Sequence, residues 1–396
     1  TIFHHSILDK ALTKIKQSHK PIIIVGQGAK SSYKLLREFA IKANIPVVST
    51  IHGCGVFDEN HPLSLTWCGM HGSAAANYII QESDCIVAIG SRFDDRTTGL
   101  VSEYAPTARA NNAIIHVNIN PNEINSVINT DFNFQVDSSL FLTNALPKIE
   151  YVERNKWTDY CNKLKQKYPF YLPEVKDDEL YMEHVLTEFN NQTRDREDII
   201  FTTGVGNHQM QSYQFIKSNY PGKILSSGSL GVMGAGLPYS IGAQIANPDK
   251  TLICIDGDSS FNMTLTDLKT IVEHNLPVKI AILNNSAQMM VTIWEKLFFG
   301  ERYTATINKQ NPSFADIAQA YGIKAQICER DSYLPSTIEY FLNYDKGPIL
   351  CEFKIKRGIC LPLVGPGKAL DDMILPEDYY TKNNGEIEKM DGMAPS

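Results

Sequence analysis

The chain has 396 residues, 43% hydrophobic and 20% charged, which excludes a disordered chain and fits two or three globular domains at about 150 residues each. A net charge of −7 argues against a nucleic-acid partner, and no apolar run approaches the roughly 18 residues of a membrane span. Eight cysteines without a CxxC pair indicate neither a disulfide framework nor a zinc site, and fit a soluble protein in a reducing, intracellular setting.

The chain opens on Thr1 with no basic-then-apolar leader. It is therefore expected to have lost a leader or to be part of something longer. Over residues 1–150, short apolar runs predict strands at 21–25, 45–49, 84–89 and 114–119. Apolar residues at i, i+3 and i+4 predict helices at 31–43 and 72–81. This alternation predicts an α/β fold with a parallel sheet covered on both faces.

Residues 151–178 hold a Lys-rich helical stretch at 157–168 and then Pro169 and Pro173, and are expected to form a surface linker. The α/β alternation resumes over 179–356. Strands are predicted at 199–203, 223–226, 251–255, 278–283 and 349–353, and helices at 207–218, 237–246, 265–274 and 314–321. The fold class is thus α/β with two doubly wound parallel-sheet domains. The tail, 357–396, is rich in Gly, Pro and charge, and is expected to lie irregularly on the surface or to be mobile.

The most informative segment is Ile255-Asp256-Gly257-Asp258-Ser259-Ser260, with Asn285 following Asp258 by 27 positions. On the predicted strands, Asp258 lies just past the carboxyl end of one strand and Asn285 just past the next. A right-handed βαβ unit brings those ends together in the crevice where such sheets bind ligands. A carboxylate and an amide oxygen suit Mg²⁺, which keeps phosphates and water in its remaining positions. Gly257 admits a phosphate, and the helix expected after Asn285 offers free N–H groups to an anion. A helix cap at Asp258 and a turn at Asn284-Asn285 explain the same spacing equally well. In the first domain, Gly26-Gln27-Gly28 is compatible with a tight turn. Without a GxGxxG and an acid ending the next strand, NAD is disfavoured.

Longer motifs resemble the catalytic subunit family of acetohydroxyacid (acetolactate) synthases, which are thiamine-diphosphate enzymes. Gly257-Asp258 and Asn284-Asn285 match that family's signature for Mg²⁺ and the cofactor diphosphate. Residues 204–210, GVGNHQM, resemble its GVGQHQM, and residues 227–234, SGSLGVMG, resemble its SGGLGTMG. Gly69-Met70-His71-Gly72 and Arg92-Phe93-Asp94-Asp95-Arg96 resemble its FAD-binding middle domain. The similarity runs from about residue 20 to residue 375.

The resemblance implies an FAD site formed by Gly26, Gly28, Met70, His71, Gly72, Gly90, Arg92, Asn118 and Asp137. It implies a thiamine-diphosphate site formed by Gly206, Asn207, His208, Gly231, Met233, Gly257, Asp258, Ser259, Ser260, Asn285, Ala287, Gln288, Met290 and Val291. Asp258, Asn285 and the backbone carbonyl of Ala287 are the implied Mg²⁺ ligands. Met233 stands where the family's apolar wedge bends the cofactor. Arg96, Met290 and Trp294 are implied at the reacting end, Arg96 near the second substrate's carboxylate and Trp294 lining the substrate channel. Arg92 and Arg96 have an alternative as surface cations paired with Asp94 and Asp95, and Trp294 as a core residue. The chain departs from the family at Met289, where a Gly is usual, at Asn207 in place of Gln, and at Asn118 in place of an acid.

The implied reaction is decarboxylation of pyruvate and condensation with a second 2-ketoacid, pyruvate or 2-ketobutyrate, in branched-chain amino-acid biosynthesis, with the flavin structural. Small 2-ketoacids, a homodimer or homotetramer and a regulatory small subunit are the implied partners, with no nucleic acid and no membrane. The compartment would be the cytoplasm of a bacterium, or a mitochondrion or plastid. Members of the family activate the cofactor with a glutamate from an N-terminal domain, and that domain is expected to precede residue 1. A sibling enzyme of the pyruvate oxidase or glyoxylate carboligase type and a non-catalytic cofactor-binding fragment are the competing readings.

Overall fold

A computed structural model describes residues 3–382. The chain divides into two units. In the first, six parallel strands are β1 (Pro21–Val25), β2 (Val47–Ser49), β3 (Ser64–Trp67), β4 (Cys85–Ile89), β5 (Ile114–Val117) and β6 (Phe132–Phe134), in the order β3-β2-β1-β4-β5-β6. Side chains alternate across this sheet. Ile23, Val25, Val87, Ile89 and Ile115 enter one core, and Ile22, Ile24, Ile86, Ala88 and Ile114 enter the other. Burial of both faces is why the central strands β1 and β4 are unbroken apolar runs.

The second unit has its own parallel sheet of β7 (Ile199–Thr203), β8 (Ile224–Ser226), β9 (Thr251–Gly257), β10 (Lys279–Asn284), β11 (Lys324–Cys328) and β12 (Ile349–Lys354). Their order is β11-β12-β10-β9-β7-β8. One face packs Cys254, Ile280, Ile282 and Leu350 against Leu237, Phe261, Leu268 and Ile271. Elsewhere in this unit Phe189 meets Phe201, Phe341 and Phe353 edge-on, with centroids 5.8–6.3 Å apart. The strand order reverses between β1 and β4 in the first sheet and between β7 and β9 in the second, and ligand crevices open at such points.

The strands predicted in the sheet interiors are all present. Edge strands β3, β6 and β11 were not anticipated: they carry Ser, Thr, Asn, Lys or Gln and lack a continuous apolar run. Helices at His5–Gln17, Ser138–Ala145, Met182–Thr193 and Leu334–Asn343 were also not anticipated. The helix predicted at 265–274 is a 3₁₀ turn, Leu265–Asp267, leading into a short α-helix, Leu268–Glu273.

Two expected boundaries are corrected. Residues 155–167 are not a surface linker: the helix Asn155–Lys167 buries Trp157, Cys161 and Leu164 in a core of the first unit, and Trp157 Nε1 donates to the Pro21 carbonyl at 3.0 Å. Only three of its residues are buried, so its composition looks solvated. Nor is the tail irregular throughout, because Leu361–Tyr379 belongs to the first unit. There β13 (Leu363–Val364) pairs antiparallel with β14 (Met373–Ile374), and Leu363 and Leu370 are fully buried. The second unit comprises Tyr171–Lys217 and Gly222–Cys360, while Ser218–Pro221 returns to the first. The tail beyond residue 382 lies outside the described residues.

Candidate active site

The carboxyl ends of β7, β9 and β10 frame a cleft in the second unit. Parallel register pairs Leu283 with Gly257, so Asp258 and Asn285 leave adjacent strands at one level. Asp258 is 2% exposed and Asn285 8%. Gly206, Asn207, His208, Met233, Gly257, Asp258, Ser259, Ser260, Asn285, Ala287, Gln288, Met290 and Val291 all line this cleft. Val205, Met182, Leu283 and Met289 also line it, adding an apolar wall that sequence reasoning did not anticipate.

Gly257 is required by close packing: a Cβ there would sit 2.8 Å from Nδ1 of His208. The imidazole of His208 is itself held beside Asp256, with Nε2 3.2 Å from Oδ1 in a fully buried setting. Ser260 Oγ accepts from the backbone N–H of Gly234 at 2.9 Å and of Val205 at 3.4 Å, which ties the 204–206 and 227–234 loops to the Asp258 turn. Asn207 sends Nδ2 to the Gly358 carbonyl at 3.3 Å, and its buried Oδ1 lacks a protein donor.

Burial pushes the Asp258 carboxyl above the usual carboxylate range, and hydrogen bonds from Asn311 and Asn308 oppose that shift. The Asn285 amide oxygen accepts from the Ala287 N–H at 3.1 Å, and Arg357 Nε donates to the Asn285 carbonyl at 3.1 Å. Among the described residues no cluster of three or more His, Cys, Asp or Glu could hold a metal. A cation at Asp258 would therefore rest on one carboxylate with amide and carbonyl oxygens, a hard-oxygen set suited to Mg²⁺ with diphosphate and water completing the shell. The glycine-lined turn at Gly206 and Gly257 and the oxygen donors at Asp258 and Asn285 fit a ligand of that kind, while the Asn207 oxygen offers an acceptor to a hydrogen-bond donor of a bound molecule.

Gly231 and Trp294 are not among the residues that line the cleft. Gly231 lies in an exposed stretch beside Leu230, its N–H bonded to the Ser227 carbonyl, and it shapes the loop. Trp294 lies one helical turn beyond Met290 on the helix Met289–Phe298, where its half-buried ring packs on Phe298 with centroids 5.2 Å apart. That helix starts four residues after Asn285, because Ser286 turns through a φ of +54° first.

In the first unit the glycines Gly26, Gly28 and Gly90 meet at the β1/β4 reversal. A Cβ on Gly26 would lie 2.2 Å from the Gly90 carbonyl oxygen, so backbone contact between the two turns demands glycine. Met70 and Gly72 lie on a loop joined to the 92–97 segment through the Met70 N–H and the Arg96 carbonyl, 2.9 Å apart, and His71 is fully buried. Phe93 sits at φ +56°, a costly conformation for an aromatic residue, with its ring packed on His116 and Tyr104. Arg92 bonds Asp94 at 3.3 Å, and the exposed Arg96 lies 3.8 Å from Asp95, as the surface-cation alternative expects. Asn118 bonds the Ser91 carbonyl, and Asp137 caps the helix Ser138–Ala145, so both have internal roles at the sheet's carboxyl end.

Glu183 was missed in the sequence because nothing in its surroundings marks it. It is 7% exposed and adjoins Met182 of the cleft, and its Oε1 accepts from Gln211 Nε2 at 2.7 Å. Burial raises its carboxyl, with the Gln211 hydrogen bond opposing. A folded-state pKa above the unfolded one favours the fold at low pH, and that contribution is lost as pH rises through the folded value. Glu183→Gln keeps an acceptor for Gln211 and removes the buried charge. Its melting temperature relative to the parent is expected to rise between pH 4.5 and pH 8. An identical offset at both pH values would contradict this assignment.

Sequence comparisons agree with this geometry. Residues 8–145 match the central domain of thiamine pyrophosphate enzymes, and residues 204–353 match their C-terminal TPP-binding domain. The mitochondrial acetolactate synthase catalytic subunit of Saccharomyces cerevisiae is 40% identical over 379 residues, covering 93% of this chain and 55% of that protein. The mitochondrial acetolactate synthase of Schizosaccharomyces pombe is also 40% identical, over 93% of this chain and 57% of its own length. The isozyme 2 large subunit of Escherichia coli is 35% identical, over 94% of this chain and 66% of its length. The chain thus spans a little over half to about two thirds of these relatives. With both domain matches set on the two sheets and their crevices, the chain belongs to the thiamine pyrophosphate enzyme family.

Proposed function

We propose that this chain carries the cofactor-binding part of an acetolactate synthase, which decarboxylates pyruvate and joins the remaining two-carbon unit to a second 2-ketoacid. The observation that carries the reading is the convergence of Asp258, Asn285 and the Ala287 segment on one cleft beside the Gly257–His208 contact. Mg²⁺ would be held by Asp258, Asn285 and the Ala287 carbonyl, with the cofactor diphosphate over Gly257 and the 204–208 turn. Thiamine diphosphate, when bound, supplies the electron sink for the ketoacid carbons. The chain's own residues bind and orient. Asp258 supplies the charge that holds the metal, the fixed His208 ring bounds the diphosphate end, and Met233, Met289, Met290 and Val291 exclude water from the reacting end.

FAD is assigned to the carboxyl end of the first sheet, where Gly26, Gly28 and Gly90 meet and Arg92 stands half-exposed. Its part is structural in this reading. A homo-oligomer and a regulatory small subunit are the proposed protein partners. Among the described residues no helix is long and apolar enough to cross a membrane.

Product analysis tests the reading. The protein, supplied with pyruvate, thiamine diphosphate, Mg²⁺ and FAD, is expected to release CO₂ and 2-acetolactate. Pyruvate consumption with peroxide release and no acetolactate would replace the synthase with an oxidase.

A further inference from the structure

The metal carboxylate is held by a part of the chain that neither the family signature nor the spacing of Asp258 and Asn285 marks. Residues 303–311 return across the carboxyl end of the second sheet as an extended arm. Its side-chain amides converge on Asp258. Asn308 Nδ2 donates to Asp258 Oδ2 at 2.8 Å and to Ser259 Oγ at 2.8 Å. Asn311 Nδ2 donates to the same Oδ2 at 2.7 Å and to Asn284 Oδ1 at 3.0 Å. The acceptors fix the orientation of both amides, since neither carboxylate nor amide oxygen can donate in return. Asn284 is in turn pinned by Glu352, whose other oxygen accepts from the Ala315 N–H.

The same arm brackets Ala287. The Gln288 N–H bonds the Thr306 carbonyl at 2.8 Å and the Asn308 N–H bonds the Ser286 carbonyl at 2.9 Å, which makes Ala287 and Ile307 antiparallel partners. The arm's root is tied elsewhere: Thr306 Oγ1 donates to Glu295 at 2.6 Å, and the Thr304 N–H bonds the same carboxylate at 2.9 Å. Two of the three groups assigned to the metal are thus positioned by one segment. Neutral donors suit this task, because they orient a buried carboxylate without cancelling the charge a cation needs.

We propose that Asn308 and Asn311 are positioning residues for the metal site, and that the 303–311 arm sets metal affinity by fixing the Asp258 carboxylate and the Ala287 backbone together. The inference rests on the metal reading given above. Mn²⁺ binding to the chain in the presence of thiamine diphosphate, followed by paramagnetic resonance, tests it without an activity readout. The parent is expected to show one tight site. Asn308→Ala and Asn311→Ala are each expected to weaken it about 10–100-fold, the usual effect of losing an outer partner of a ligand. Thr306→Val, which touches no metal ligand's side chain, is expected to weaken it several-fold. Melting of the metal-free protein should be close to the parent's for Asn308→Ala, because Asn311 still satisfies Asp258. If Asn311→Ala does not fold, Asn308→Ala at its half-buried loop position decides alone. Mn²⁺ affinity within about threefold of the parent in Asn308→Ala overturns the inference, whatever happens to stability. A parent without a tight Mn²⁺ site overturns the metal reading and this inference with it.

Discussion

Asp258→Ala is expected to abolish metal-dependent binding of thiamine diphosphate while leaving the metal-free chain at least as stable as the parent. Asp258 is the charged member of the proposed ligand set, and it is 2% exposed. Outer partners of metal ligands typically contribute 10–100-fold in affinity, so removing the charged ligand itself should cost more than about 100-fold. Stability should not follow affinity. Burial disfavours the ionised carboxylate, and the two asparagines that bond it each have a second acceptor, in Ser259 or Asn284. The buried charge is thus a local cost to the fold that a bound cation would offset. Calorimetric titration of thiamine diphosphate with Mg²⁺, paired with thermal melts, checks both halves. Undiminished affinity in the variant would remove Asp258 from the metal site.

Trp157→Ala is expected to cost about 3–5 kcal/mol of the first unit's stability, the range for deleting a large buried ring. The side chain is 4% exposed, packs in the core behind β1, and bonds the Pro21 carbonyl at the start of that strand. Lys20 Nζ lies 5.4 Å from the ring centroid, and Tyr160 stacks on it at 5.9 Å. Trp157→Phe keeps most of the apolar volume and isolates the indole hydrogen bond, which should cost about 1 kcal/mol. Denaturant unfolding measures both. A loss below about 1 kcal/mol in the alanine variant would return the helix to the solvated linker that its lysines suggest.

The contrast between these two sites explains what could be read in advance. Asp258 and Asn285 were legible because each ends a strand buried on both faces, and such strands announce themselves as apolar runs. The Asp258 turn then follows from chain order alone. Trp157 was obscured by its own helix, where Lys156, Lys163, Lys165 and Lys167 surround a stripe of three buried residues. Asn308 and Asn311 carry no periodic signal. Their role depends on where a loop returns, which is fixed by Glu295 and the Ala287–Ile307 pairing and not by local propensity. Trp294 stands one turn beyond Met290 on the same helix, packed on Phe298, and its helix was legible from the start expected after Asn285.

The first unit's borrowing of residues 361–379 has a consequence for the order in which the protein assembles during synthesis. The Val364 N–H bonds the Met70 carbonyl, Gln81 bonds Asp371, and Val364 and Leu370 complete the core around Ile24 and Ile86. These partners are separated by some 290 residues of chain. Closing so long a loop is slow, and a ribosome adds only about 5–20 residues each second. The second unit's whole sheet therefore leaves the ribosome while one side of the first unit's core still waits for its cover. During that interval the helix face bearing Asn77 and Gln81 is open to other apolar surfaces, so the nascent chain has a built-in window in which a chaperone would be of use.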